Sequence, residues 1–257
     1  MIAIFFALSQ ETASLKPQVN ILKKIRCAGA VFYQSEYHGF PVTLVQTGIG
    51  KNAEEIIRYL SKCFRIQLMI SSGFAGSVRP EVKVGNLIIG KHALSASLER
   101  FDGDIRIDTT FPCDTTFVNL ANMLGRTGRF TSHCGDVLTV DKIINQSSVK
   151  KHIGNNTSSV AVDMESFSIA AQASAQGIPF VVIRAISDGM DEDMEVYDDM
   201  VTESGDVNVS AAALHVLMKP HHILQLNRLR RQAKLAANTL SAFLPNFIAQ
   251  VYNSLLT

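Results

Sequence analysis

Short apolar runs rich in β-branched residues alternate along this chain with amphipathic stretches, and the period of each run predicts its conformation. Strands are predicted over Ile2–Leu8, Ala30–Tyr37, Val42–Thr47, Gln67–Ser72, Asn86–Ala93, Val160–Val162 and Phe180–Ser187. Helices are predicted over Gln10–Lys24, Asn52–Phe64, Thr116–Arg126, Glu165–Gln176, Val209–Met218 and a long C-terminal stretch from His221. Runs such as Leu68-Met69-Ile70 and Val181-Val182-Ile183 are apolar without alternation, so both of their faces should be covered. That predicts an α/β fold, a mixed or parallel sheet with helices on both sides.

In such sheets ligands bind beyond the carboxyl ends of the strands, which makes the polar residues there the first candidates for chemistry. Glu11, Glu165 and Asp188 each follow an apolar run closely, and a sheet that aligns those strand ends would gather three carboxylates in one concave site. Like charges in a dry pocket raise one another's pKa values, so a protonated acid beside an ionised base becomes possible near neutral pH. Each of the three also fits an ordinary acid at a helix start. Arg184 interrupts the apolar strand Phe180–Ile186, and a buried guanidinium there needs carboxylate partners.

Gly48-Ile49-Gly50-Lys51-Asn52-Ala53 follows a strand and precedes a helix, as a dinucleotide-binding turn would. The next strand ends at Ser71-Ser72 rather than at the acid a ribose requires, so a tight turn is the simpler reading and no cofactor is expected. Ser72-Gly73-Phe74-Ala75-Gly76 is rich in small residues that allow a ligand close to the backbone.

Composition narrows the class. Of 257 residues 47% are hydrophobic and 18% charged, enough apolar surface for a substantial core and too much for a disordered chain. The net charge of +1 gives no global field toward nucleic acid, and no nucleic-acid partner is expected. Cys27, Cys63, Cys113 and Cys134 are too scattered for a disulfide framework or a CxxC site, and the histidines show no metal-ligand spacing, so free thiols, no metal and a cytoplasmic setting are the expectation. No run reaches the roughly 20 apolar residues that span a bilayer.

Taken together, Ala7–Glu11, Gly48–Lys51, Ser72–Gly85, Gly135–Asn145, Ala161–Glu165 and Pro179–Asp188 resemble the nucleoside phosphorylase and nucleosidase superfamily, most closely its methylthioadenosine/S-adenosylhomocysteine nucleosidase branch. The most specific pieces are Val162-Asp163-Met164-Glu165-Ser166 and Val182-Ile183-Arg184-Ala185-Ile186-Ser187-Asp188. The resemblance runs from residue 2 to about residue 190. It implies a single three-layer α/β domain around a twisted mixed sheet partly closed into a barrel; with no composition break before about residue 205, the simplest partition is a catalytic domain over residues 1–205 and a C-terminal helical extension over residues 206–257. It also implies cleavage of the N-glycosidic bond of a purine nucleoside, in enzymes that commonly assemble as dimers or larger homo-oligomers. By position, Asp188 resembles the acid that protonates purine N7, steered by Ser187. Met164 and Glu165 resemble the ribose site, Glu11 assisted by Arg184 the holder of the attacking water, and the backbone at Ile143 and Ile144 the reader of the purine edge.

The chemistry accounts for these residue types. A purine anion leaves poorly, and a positioned acid that protonates it contributes about 10²–10⁴-fold. The ribose left behind is oxocarbenium-like and is stabilised by carboxylates in a water-poor pocket. Two departures bear on the substrate: Ile143 stands where adenine-specific members usually place an aromatic residue, and Phe74 where that branch has a small one. Ala7-Leu8-Ser9-Gln10-Glu11 lacks the Gly/Arg phosphate motif of the phosphorylases, and an ionised Glu11 would repel phosphate, which favours hydrolysis over phosphorolysis. A nucleoside-binding protein without turnover is the alternative from another class.

After Asp206 the chain has no acid, and Lys219, Arg228, Arg230, Arg231 and Lys234 lie among Ile223, Leu224, Leu226, Leu229 and Leu235. Such a basic amphipathic helix either packs on the domain or at a subunit contact, or lies on an anionic membrane surface. With Ser71–Pro80, this tail is similar to the hopanoid-associated phosphorylase branch, which implies adenosylhopane, a lipid-linked nucleoside, as a second substrate possibility.

Overall fold

The computed structural model describes residues 1–48, 53–96, 105–193 and 222–256. Among the described residues ten strands form one sheet: β1 (Ile2–Phe6), β2 (Asn20–Cys27), β3 (Ala30–Tyr37), β4 (Phe40–Gln46), β5 (Leu68–Ser77), β6 (Leu87–Ala96), β7 (Ile107–Pro112), β8 (Ser132–Thr139), β9 (Ser159–Asp163) and β10 (Phe180–Asp188). β5, β10, β6, β8 and β9 close on one another through the pairings β5–β10, β10–β6, β6–β8, β8–β9 and β9–β5, which makes a five-stranded barrel. From β5 the sheet continues through β1, β4, β3 and β2. This is the partly closed mixed sheet that the resemblance implies. β5 is its branch point, since it pairs with β1, β9 and β10.

The helices are α1 (Ser9–Ala13), α2 (Ala53–Cys63), α3 (Thr115–Thr127), α4 (Ser147–Asn156), α5 (Ser166–Ala175) and α6 (His222–Leu256). The apolar strands β1, β5 and β10 are buried along nearly their whole length, as their unbroken hydrophobic runs require. α6 places Ala236, Leu240, Phe243, Phe247 and Val251 at helical spacing into the same core as those strands. Tyr252 fixes its far end: the hydroxyl bonds the Pro41 carbonyl and the ring stacks on Phe40 at 4.3 Å.

Four features differ from the sequence expectation. The stretch Gln10–Lys24 is not one helix: α1 stops at Ala13, a 3₁₀ turn covers Lys16–Gln18, and β2 begins at Asn20. Pro17 has no amide hydrogen to give the Ala13 carbonyl and so cannot continue the helix. β2 then pairs antiparallel with β3. It is exposed along most of its length, so no apolar period announces it. β7, β8 and α4 were also silent in the hydrophobic pattern, α4 because its only large apolar residues are Val149 and Ile153. The predicted helix Val209–Met218 and residues 49–52 of the glycine turn lie outside the described residues. All four cysteines are free thiols. Among the described residues no helix is long and apolar enough to cross a membrane, and no cluster of three or more His, Cys, Asp or Glu is placed to hold a metal ion.

Candidate active site

β5 forms the floor of the site, and its residues hold both ends of it. Glu11, third residue of α1, is 2% exposed. Its Oε2 accepts the Leu8 amide at 2.8 Å and its Oε1 the Phe74 amide at 2.6 Å, so the short helix after β1 and the backbone of β5 fix both carboxyl oxygens. Gly73 makes this approach possible. A Cβ there would lie 2.5 Å from Glu11 Oε1 and 2.6 Å from Arg184 Nη1, and its φ of +149° is one that side-chain-bearing residues rarely adopt.

Arg184 lies opposite Gly73 in the β5–β10 register and is 1% exposed. Its Nη2 donates to the hydroxyls of Ser71 at 2.8 Å and Ser166 at 3.0 Å. Asp163 Oδ2 is 2.8 Å and Glu165 Oε2 3.8 Å from the same nitrogen, as ion pairs outside those two hydrogen-bond directions. The sequence thus named one of the carboxylates beside Arg184, Glu165, and passed over the other, Asp163, although Asp163 lies in the quoted motif. Ser71 and Ser166 were passed over as well, because small hydroxyls in an apolar strand and at a helix start carry no distinguishing pattern.

Glu165 occupies the N-cap of α5, after β9, so it is both a helix-start acid and a member of the site. Burial pushes its carboxyl up to about 8, against the pull of Arg184, with Asp163 and Glu11 adding to the rise. Burial likewise raises Glu11 above the usual carboxylate range, opposed by Arg184 and by the backbone donors. Met164, between Asp163 and Glu165, is half-buried.

Three residues along β5 from Gly73, about 10 Å of strand, Gly76 faces the second group. A Cβ at Gly76 would lie 2.7 Å from Asp188 Oδ2. Asp188 ends β10 and is 8% exposed. Its Oδ1 accepts from Ser187 Oγ at 2.8 Å, and its Oδ2 from Lys150 Nζ at 2.6 Å. Lys150 escaped the sequence reading because α4 escaped it.

Ser72 is buried in the strand floor, and its Oγ has no hydrogen-bond partner among the described residues; the same holds for Arg184 Nε. Phe74 is half-buried. Ile144 is buried in a second apolar cluster with Val149 and Ile153 of α4, whereas Ile143 is 39% exposed. The structure thus brings Glu11, Glu165, Arg184 and Gly73 together at one end, and Asp188 with Ser187 at the other. An end with three carboxyl groups and one guanidinium can stabilise a developing cation. An end with a buried carboxyl that borders an ammonium can move a proton.

A closed five-stranded barrel that carries carboxyl groups beside Gly73 and Gly76 of one strand is consistent with an enzyme of the nucleosidase and phosphorylase type. The sequence profile described as "Phosphorylase superfamily" matches residues 1–217, and the chain belongs to that superfamily. It is 31% identical over 201 residues to 5′-methylthioadenosine/S-adenosylhomocysteine nucleosidase of Haemophilus influenzae, covering 74% of this chain and 86% of that one. In three dimensions it is similar to a mutant of the Helicobacter pylori nucleosidase MTAN with 5′-methylthioadenosine in its active site, with TM-score 0.74, 20% identity, and 97% and 98% of the two chains covered. It is also similar to futalosine hydrolase of Helicobacter pylori, with TM-score 0.69, 22% identity and 95% and 97% coverage. These structural matches span nearly the whole chain and support the fold.

Proposed function

We propose that this protein is a purine nucleosidase that hydrolyses the C1′–N9 bond of a 5′-substituted adenosine, of the methylthioadenosine or S-adenosylhomocysteine type, and releases adenine. The observation that carries this reading is the placement of Glu11, Glu165 and Arg184 at one end of the β5 floor and of Asp188 at the other. Asp188 gives its proton to purine N7 as the C1′–N9 electron pair passes to the base, with Ser187 holding the carboxyl in position. Glu165 takes the ribose hydroxyls, Met164 packs on the sugar, and Glu11 with Arg184 holds the attacking water. That water gives its oxygen to C1′ and a proton to Glu11, and solvent restores both carboxyl groups once products leave. Ser72, Gly73 and Phe74 line the floor, and the backbone at Ile143 and Ile144 meets the purine edge.

Hydrolysis fits better than phosphorolysis. Arg184 is already paired with Asp163 at 2.8 Å, so a phosphate dianion beside Glu11 would meet no net positive charge. The test is to incubate the protein with methylthioadenosine and follow adenine with and without phosphate. Equal release in both supports hydrolysis, strict phosphate dependence replaces it by phosphorolysis, and tight binding without adenine in either would make the protein a nucleoside-binding module.

The exposed residues Arg230, Arg231 and Lys234 of α6, beside Leu235 at 53% exposure, support a peripheral membrane contact and with it a lipid-linked 5′ substituent. Replacing the three cations by Gln should then abolish sedimentation with anionic liposomes. A cytoplasmic homodimer or larger homo-oligomer is part of this proposal, and sedimentation velocity reads its mass.

A further inference from the structure

Lys150 is 0% exposed, the only lysine among the described residues that is fully buried. Its Nζ donates to Asp188 Oδ2 at 2.6 Å, to the Gly189 carbonyl at 3.0 Å and to the Glu192 carbonyl at 3.4 Å, so its three hydrogens have three acceptors. The helix that carries it is tied to the same loop twice more: Lys151 pairs with Asp191 at 2.9 Å, and the Ser147 amide donates to Asp193 at 2.6 Å. Taking an ammonium out of water is costly, and a well-packed apolar side chain of similar volume often stabilises a fold as well as a buried ion pair does. Stability alone therefore gives a weak reason for a lysine here. Chemistry at Asp188 gives a stronger one.

We propose that Lys150 is the counter-ion of the proton donor, a positioning residue that holds Asp188 and stabilises the carboxylate left when its proton has gone to the base. The inference rests on the reading of Asp188 as the acid. As the C1′–N9 bond breaks, its electron pair goes to the purine, N7 takes the proton from Asp188, and the donor becomes an anion in a nearly closed site. Lys150 is already oriented toward Oδ2, and Ser187 toward Oδ1, so both oxygens of that anion meet a donor without reorganisation. A cation beside a carboxyl favours its ionised form, so Lys150 favours transfer of the proton from Asp188 to the base.

The leaving group separates a positioning role for Lys150 from a merely structural one. With 4-nitrophenyl 5-methylthioriboside, the departing 4-nitrophenolate is a stable anion that needs no proton. Lys150→Met should therefore lose about 10²-fold in kcat for adenine release from methylthioadenosine, with KM little changed, and keep most of its nitrophenol release. In Lys150→Ala, added ethylammonium should restore adenine release. Selective loss with methylthioadenosine, or recovery with the amine, supports the inference. No loss, or equal loss with both substrates and no recovery, overturns it. Asp188→Asn run in parallel distinguishes the two ideas: if that variant keeps adenine release, the reading of the acid itself fails, whatever Lys150 does.

Discussion

The two ends of the β5 floor hold the same kind of group in opposite electrostatic settings. At the sugar end Glu11, Asp163 and Glu165 surround a single guanidinium, Arg184, and burial carries Glu165 up to about 8 and Glu11 above its usual range. At the base end Asp188 is paired directly with an ammonium, at 2.6 Å. The sugar end is short of positive charge, which is what an oxocarbenium-like ribose would supply. The base end is balanced once its carboxyl has lost a proton. One strand thus separates a place that welcomes a cation from a place that welcomes a newly formed anion, and the bond between ribose and purine would lie between them.

The contrast can be broken from either side. The largest effect is expected at the base end: Asp188→Asn should lower adenine release from methylthioadenosine by about 10²–10⁴-fold with an unchanged far-UV circular dichroism spectrum, and a variant at wild-type rate would remove Asp188 from the acid role. Next comes the guanidinium. Arg184→Met leaves Asp163 and Glu165 buried without a cation and should cost about 3–5 kcal/mol, read as a lower urea midpoint. A loss under about 1 kcal/mol would mean that the carboxyl cluster does not need its cation.

Gly73→Ala is smaller again. Its Cβ would meet Glu11 and Arg184 at 2.5 and 2.6 Å from a backbone at φ +149°, a strain of about 1–3 kcal/mol. Both stability and turnover should fall, and normal turnover would show that Glu11 can shift without consequence. The last effect runs the other way. Folded Glu165 holds its proton to about 8 and gives it up near 4.5 in an unfolded chain, so its contribution is fully present below pH 4.5 and is lost as pH rises to about 8. Glu165→Gln stays neutral throughout, so the melting temperature of the variant relative to the parent should climb between pH 5 and pH 8 while its turnover falls. A difference that stays flat across that range would contradict the raised carboxyl.

What was legible in the sequence follows from where apolar runs stop. Glu11, Glu165 and Asp188 each stand just beyond or at the end of a buried strand, and Arg184 stands out because the residues around it in β10 are apolar. That two glycines of a single strand hold the two carboxyl ends apart was not legible, because it depends on the register of β5 against β10 and on the depth of Glu11. Lys150 lies in Ser-Ser-Val-Lys-Lys-His-Ile-Gly-Asn-Asn, a segment whose polar character reads as a solvated surface. Its burial comes from the loop after β10 folding over it, a long-range contact with no local trace. β2 was missed for the converse reason: an edge strand exposed on both faces has no hydrophobic period to display.

The polarity of the site is open to one direct measurement, a crystal structure of the Asp188→Asn variant soaked with methylthioadenosine. The account requires purine N7 within hydrogen-bond distance of residue 188 and the ribose hydroxyls on Glu165, with Glu11 facing C1′. A nucleoside bound in the reverse sense, or held away from β5, would contradict it.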